Sequence, residues 1–539
     1  MIPSQLVQQQ ETHVNNLKEN TMRLIKLSTV AAVVASTLAV SAPVLADTAD
    51  QNYKVTDKPL DLTIHLHTKK YVYDNEWLVE KEAAKLTGVS LKNVASSATN
   101  KSQEAFNLLL ASGDFPDIVG GSGMKPNVNQ YGPEGAFLPL DKLIAEHAPH
   151  IKAFFDAHPG IWNSIKAADG HVYYIPYLPD GEFARAYFVR MDWLKKLNLK
   201  APENVDELYK VLVAFRDNDP NGNGLKDEVP FFARQFEEML RLVTLWDGRT
   251  SGSDSYHDFY TADGMVKHGY VGEGYKTGIS NLAKWYKEGL IDAEVFTRGS
   301  RSREYLLSND LGGMTHDWFA STAGYNDSLA EKVPGFSFKA FIPPASISGV
   351  RMEENRRTPV KPDGWALSYT NKDPIASIKY FDFWFTEKGR NLSNFGVEGV
   401  HFDLVDGQAT FKPEILSSAT PVNAQMWSIG AQIQRGFYQD YNYEKQWSNK
   451  HALEGIELYG QGDYLVEEFL GVTFNAKEKA VFDKYWPSIL TYMLEKQQAW
   501  VLGTKDINKD WDDYISQINR LGYEKVMKVM NSAYTRQYK

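Results

Sequence analysis

The sequence predicts an α/β protein whose two domains are interleaved along the chain, and three observations carry that expectation. Leu60-Asp-Leu-Thr-Ile-His-Leu66 alternates apolar and polar residues, the period of a strand. Ser102 to Ala111 carries a helical pattern stopped by Ser112-Gly-Asp114, and Asp117-Ile-Val-Gly-Gly121 follows as a strand running into a glycine turn. Strand, helix and strand at that spacing form the βαβ unit of an α/β domain. The third observation is size without a seam: 539 residues suffice for two or more domains, yet no Pro- or Ser-rich linker divides them. Two domains without a linker imply that the chain crosses between them more than once.

Taken in order, the N-terminus reads as a targeting signal. Met22-Arg-Leu-Ile-Lys26 is a short basic region, Val30 to Val40 is apolar, and Val44-Leu-Ala46 fits a small-x-small cleavage site. The apolar run is too short to span a membrane, and no cysteine is present to carry a lipid anchor. Residues 1–21 are expected to be an upstream extension, 22–46 a cleaved signal peptide and 47–58 the mature N-terminal segment, with export to a Gram-negative periplasm or secretion. A helix is expected near Trp77–Leu86. Asp206–Phe215 continues a helical pattern that begins near Asp192 and breaks around Pro202. Gly278–Lys287 forms a further helix ending at Gly289, and the chain from Ala476 onward is helical. There Trp511, Tyr514, Ile515 and Ile518, then Tyr523, Val526, Met527 and Met530, repeat at i, i+3, i+4 and i+7 as core-facing stripes.

Composition narrows the chemistry. Apolar residues make up 43% of the chain, as in globular proteins. The absence of cysteine excludes disulfides and thiolate sites. A net charge of −10 argues against nucleic acid as a partner, though a local cationic cleft can still take an anion. No HExxH, GxSxG or Walker loop is present. His65 and His67 share a face of the first strand, without an evident third metal ligand.

Asp219-Pro-Asn-Gly-Asn-Gly-Leu-Lys-Asp-Glu228 is the strongest chemical signal. Oxygen-bearing side chains fall at Asp219, Asn221, Asn223 and Asp227, Glu228 follows, and the backbone carbonyl of Leu225 completes a set suited to calcium. The twelfth position is Pro230 rather than the glutamate of a switching EF-hand, so a structural Ca2+ site is expected. Asn, Asp and Gly also dominate solvated turns, which is the competing reading.

Three runs combine aromatics with polar groups: Tyr173–Tyr177, Thr315-His-Asp-Trp-Phe319, and Gly436–Trp447. Flat rings stack on sugar faces while amides and charges hold hydroxyls and carboxylates. Arg185 and Lys361 are candidate partners for such a carboxylate.

These residues resemble the solute-binding proteins of oligosaccharide ABC importers, and most closely the periplasmic alginate-binding proteins. The likeness runs from about Tyr53 to Lys539. It includes Ala148-Pro-His-Ile-Lys-Ala-Phe-Phe155, Asp219–Gly224, Trp285-Tyr-Lys-Glu-Gly-Leu-Ile-Asp292, Thr315–Ser321, Pro362-Asp-Gly-Trp365 and Tyr534–Lys539. Binders of glycosaminoglycan-derived disaccharides look similar. The resemblance implies a two-lobed periplasmic binding protein fold with a hinge, a ligand cleft between the lobes and a calcium site away from the cleft. Approximate lobe boundaries are 59–175 with 320–430 for the N-lobe, and 176–319 with 431–539 for the C-lobe. Carried over by motif, Tyr177, Trp318, Glu444 and Trp447 would contact the sugar, with Lys70 where a cleft lysine is expected. Tyr71 and Tyr73 replace tryptophans, Lys361 replaces an arginine, and Gln434-Arg435 precedes Gly-Phe-Tyr. Only arginine offers a planar fork to a carboxylate, so these departures bear on which acidic sugar fits. The resemblance implies a monomeric carrier that hands an acidic, uronate-containing oligosaccharide to membrane subunits without turnover. A secreted glycan-cleaving enzyme with the same aromatic surface is the alternative, and a calcium-responsive structural protein the third reading.

Overall fold

In the computed structural model, residues 53–68, 71–98, 101–249 and 258–539 are described. The expected signal peptide and Lys70 lie outside the described residues. Strands are numbered in chain order. The first sheet contains β1 (Leu60–His67), β2 (Val89–Asn93), β3 (Ile118–Gly121), β4 (Ile175–Pro176) and β11 (Gly364–Leu367), in the order β2-β1-β3-β11-β4. β1 pairs in parallel with both β2 and β3, the arrangement the βαβ pattern predicts. Leu62, Ile64 and Leu66 are fully buried, and His65 and His67 on the other face are buried too. Burial on both faces is characteristic of a parallel sheet covered by its crossover helices. β3 ends at Gly121 with φ +145°, where a Cβ would lie 2.1 Å from the His67 carbonyl oxygen.

The second sheet contains β5 (Arg185–Arg190), β6 (Val229–Phe231), β9 (Gly312–Trp318) and β10 (Phe338–Phe341), in the order β10-β5-β9-β6. Two hairpins are separate from both sheets: β7 (Phe259–Ala262) with β8 (Met265–His268), and β12 (Phe402–Val405) with β13 (Gln408–Phe411). Each large sheet has its own core. Phe137, Trp365, Trp384 and Phe437 belong to the first, whereas Trp193, Leu212, Trp285 and Trp500 belong to the second.

These cores correct the expected lobe boundaries. β10 pairs antiparallel with β5, so residues 320–341 belong with the second sheet rather than the first. Ala431, Ile433, Phe437 and Tyr443 pack in the first core, so its last segment extends past 430. Strand pairing decides the boundary, because a strand leaving its sheet would strip its N–H and C=O groups of partners.

The C-terminal helices Ala476–Val501, Ile507–Leu521 and Tyr523–Tyr538 close the second lobe. Trp511, Tyr514, Ile518, Val526 and Met530 are buried, while Ile515, Tyr523 and Met527 border the core. Asn475 and Glu478 form a reciprocal capping box at the start of the first of these helices. The helix expected from Gly278 begins earlier, at Glu273. Gly278 lies inside it because Val243 Cα would sit 3.0 Å from a Cβ there.

Candidate ligand cleft and hinge

The chain passes between the two sheets through residues 177–184, 342–363 and around 448. Hydrogen bonds lace these crossings together. Leu178 N–H donates to Phe437 O at 3.0 Å, Arg357 N–H to Glu182 O at 2.7 Å, and Lys361 N–H to Tyr177 O at 2.9 Å. Arg357 then joins all three. Its Nη1 donates to Asp180 O at 2.8 Å and to Glu444 Oε2 at 2.7 Å, and its Nη2 donates to Glu444 Oε1 at 2.8 Å. Burial alone would lower the guanidinium's pKa, but the Glu444 carboxylate more than reverses that and raises it.

A cleft of about 1460 Å³ opens beside these crossings, between Lys125, Asn129, Lys361 and Gln434 of the first lobe and Glu468, Phe474 and Phe482 of the second. Trp318 and Trp447 do not line this volume. Trp318 lies at the carboxyl end of β9, the kind of position where open α/β sheets bind ligands, whereas Trp447 follows the helix Tyr441–Lys445. Trp318 closes β9, opposite Arg185 at the start of β5. The Arg185 guanidinium covers the Trp318 ring at 4.3 Å. Trp447 packs edge-on against Tyr443 at 5.6 Å, and its buried indole N–H has no hydrogen-bond partner.

Behind Trp318 lies a network of guanidiniums and carboxylates. Glu238 pairs with Arg185 at 2.9 Å, Arg234 at 2.7 Å and Arg241 at 3.5 Å. Asp317 pairs with Arg303 at 2.7 Å and Arg234 at 3.3 Å, and its Oδ1 accepts the Trp318 N–H at 2.7 Å. Burial pushes the Glu238 pKa upward, but Arg241, Arg185 and Arg234 outweigh it and hold the carboxyl at about 2.

The profile of the family "Bacterial extracellular solute-binding protein" matches residues 73–391. This chain belongs to that family. A crystal structure of alginate-binding protein AlgQ2 without calcium ion is 52% identical, with a TM-score of 0.72, covering 90% of this chain and 99% of that one. The fructooligosaccharide ABC transporter substrate-binding protein FusA of Streptococcus pneumoniae is 25% identical over 85% of this chain and 87% of its own. A human-milk-oligosaccharide (HMO) binding solute-binding protein of Bifidobacterium longum infantis, 20% identical with a TM-score of 0.69 over 90% of this chain and 100% of that one, shares the fold.

Several sequence-derived site residues of this solute-binding protein have different partners from those expected. Arg185 is 3% exposed and sealed between Glu238 and Trp318, which corrects its reading as a direct carboxylate partner. Both Glu444 oxygens are engaged by Arg357, so its first partner is the hinge rather than a hydroxyl. Tyr177 is buried against Phe437 at 5.1 Å, and burial raises its phenol pKa. Lys361 lines the open cleft. Of the departures from the family pattern, Tyr73 is buried and donates to Glu80 at 2.5 Å. Arg435 is buried against Trp384 at 3.7 Å and pairs with Glu80. Tyr71 instead orders the cleft, because its hydroxyl accepts the Gln434 N–H at 3.0 Å; burial pushes its pKa up to about 12. Sequence reading missed Arg234 and Arg357. Arg234 follows the apolar Pro230–Ala233 run at a strand's carboxyl end, and that position was the available signal.

The Asp219–Glu228 loop joins the helix Val205–Asp217 to the N-terminal end of β6, whereas Arg234 follows its C-terminal end. Gly222 and Gly224 adopt φ of +79° and +78°, so the loop folds around Asp219. Asp219 Oδ1 accepts the Gly222 and Asn223 N–H groups at 2.7 and 3.0 Å, and Oδ2 accepts that of Gly224 at 2.8 Å. Asn223 Nδ2 donates to both Asp227 oxygens at 3.1 and 3.2 Å. Glu228 differs, since both its carboxylate oxygens are buried and make no hydrogen bond of good geometry. Burial raises its pKa; the backbone N–H groups of Glu228 and Asn221 oppose the shift, and Asp219 and Asp227 add to it. Among the described residues, no group of three or more His, Asp or Glu side chains is spaced to hold a metal. The buried Glu228 carboxylate, weakly served by donors and beside two further carboxylates, nevertheless fits a hard cation.

Proposed function

We propose that this solute-binding protein serves an ABC importer, carrying acidic, uronate-containing oligosaccharides, alginate-derived ones first and glycosaminoglycan-derived ones second. The observation that carries this reading is a tryptophan on each lobe, one backed by a guanidinium network and the other holding a buried indole N–H without a partner. Rings stack on such platforms, while an anionic substituent finds cationic donors beside them. The likeness to alginate-binding AlgQ2 supports the alginate preference. The neighbouring cleft of about 1460 Å³, which Lys361 lines and the two tryptophans do not, exceeds the ~300–1,000 Å³ typical of small-molecule pockets and leaves room for further rings of a longer chain.

In this proposal Trp318 and Trp447 stack on sugar rings, Tyr177 hydrogen-bonds a hydroxyl, and Lys361 meets a carboxylate. Lobe closure about the three crossings captures the ligand, and the loaded protein delivers it to membrane subunits without turnover. Asp219, Asn221, Asn223, Leu225, Asp227 and Glu228 hold Ca2+ as a staple of the second lobe. The mature protein is a periplasmic monomer, released by cleavage after Ala46. Calorimetry with unsaturated alginate and chondroitin oligosaccharides tests the binding claim, and absence of heat from both at millimolar concentration overturns it. New reducing ends or unsaturated products after incubation with polymer would favour the glycan-cleaving alternative.

A further inference from the structure

We propose that Arg234 reads the sugar carboxylate and thereby makes this protein select acidic over neutral oligosaccharides. The inference rests on the proposed binding of acidic oligosaccharides and assigns their carboxylate to a place in the fold. Arg234 follows β6 at its carboxyl end, next to the carboxyl end of β9 where Trp318 sits. Two carboxylates fix its guanidinium from behind. Nη2 donates to Glu238 Oε1 at 2.7 Å, Nε lies 3.3 Å from Asp317 Oδ2, and the Arg234 N–H donates to Glu238 Oε2 at 3.2 Å. Among the described residues, Nη1 has no hydrogen-bond partner. The Glu238 hydrogen bond and the Asp317 charge thus hold one edge of the fork, Nε making no hydrogen bond of its own, and the Nη1 edge remains available.

Its neighbours are less suited to the task. The side chain of Arg185 is 4% exposed and lies behind the Trp318 ring. Arg303 spends Nη1 on Asp317 and Thr322, both at 2.7 Å, and is 12% exposed. Arg234 is 25% exposed. Asp317 also ties this guanidinium to the stacking platform, since its second oxygen holds the Trp318 backbone. A uronate ring stacked on Trp318 therefore presents its carboxylate to a donor whose position is fixed by the same residue. Lysine would supply the charge without the fork.

The test uses the mature protein, an alginate trisaccharide and its carboxyl-reduced neutral counterpart, with affinities by calorimetry. Wild type is expected to prefer the acidic form. R234Q is expected to lose roughly 10- to 100-fold in affinity for the acidic form, the range for a hydrogen bond to a charged group, with little change for the reduced form. R234K should retain part of the preference, and the wild-type preference should shrink with added salt. Because selectivity is a ratio within one variant, partial misfolding of R234Q lowers binding capacity without changing the ratio. R234K provides a second reading if R234Q does not fold. A wild type that binds the acidic form, with R234Q equally selective or equally weakened for both ligands, overturns the Arg234 assignment alone. A wild type that binds neither ligand overturns the acidic-sugar reading and this assignment with it.

Discussion

Removing the Arg357–Glu444 pair should loosen the hinge, and the structure sets the scale. Two N–H···O bonds of 2.7 and 2.8 Å join side chains 23% and 16% exposed. Exposed pairs contribute about 0–1 kcal/mol, and breaking a fully buried pair costs ~3–5 kcal/mol. A bidentate pair at this depth falls between, at about 2 kcal/mol, a factor of roughly 30 in an equilibrium constant. The perturbations are R357Q, E444Q and the double variant. Urea denaturation gives the stabilities, and electron-spin distance measurements between one label on each lobe give the spread of hinge angles. The expected result is a coupling energy of about 1–3 kcal/mol between the two sites and a broader interlobe distance distribution in both single variants. E444Q should affect sugar affinity no more than R357Q does. Coupling below about 0.5 kcal/mol, an unchanged distance distribution, and a sugar-binding loss confined to E444Q would refute the hinge role and restore Glu444 as a ligand contact.

Three further outcomes are expected. W318A and W447A should each weaken oligosaccharide binding by about 2 kcal/mol, the loss expected for a central aromatic anchor, and calorimetry reads it directly. Chelation should lower the melting temperature, whereas E228Q should stabilise the calcium-free protein by removing a desolvated carboxylate while weakening calcium affinity; differential scanning calorimetry with and without calcium separates the two. The Glu238 carboxyl, held at about 2, lies below its unfolded value, so its contribution is full above the unfolded pKa and lost as pH falls toward 2. That contribution is about 3 kcal/mol at neutral pH, and E238Q should lose the corresponding part of the acid dependence in urea unfolding.

Legibility followed the range of the interactions. β1 was readable because Leu60–Leu66 alternates over a full strand, and the C-terminal helices because Trp511–Ile518 and Tyr523–Met530 hold a helical period. β2 was not anticipated, since five residues immediately after Gly88 give too short a pattern to separate from a loop. The placement of residues 320–341 depended on β10 pairing with β5, a contact across about 150 residues that local patterning does not encode. The same holds at the site. Trp318 and Trp447 stood out in aromatic runs, but the roles of Arg185 and Glu444 depended on Glu238 and Arg357, distant partners that only the fold brings near. Arg234 is similarly silent in sequence, because one arginine after an apolar run acquires meaning from Glu238 and Asp317.

A crystal structure of the mature protein with a bound alginate trisaccharide would test the central claim most directly. The account predicts rings stacked on Trp318 and Trp447 from opposite lobes, a carboxylate within hydrogen-bond distance of Arg234 Nη1, and the Arg357–Glu444 pair intact. A trisaccharide held elsewhere, or one whose carboxylates all face solvent with Arg234 untouched, would contradict it.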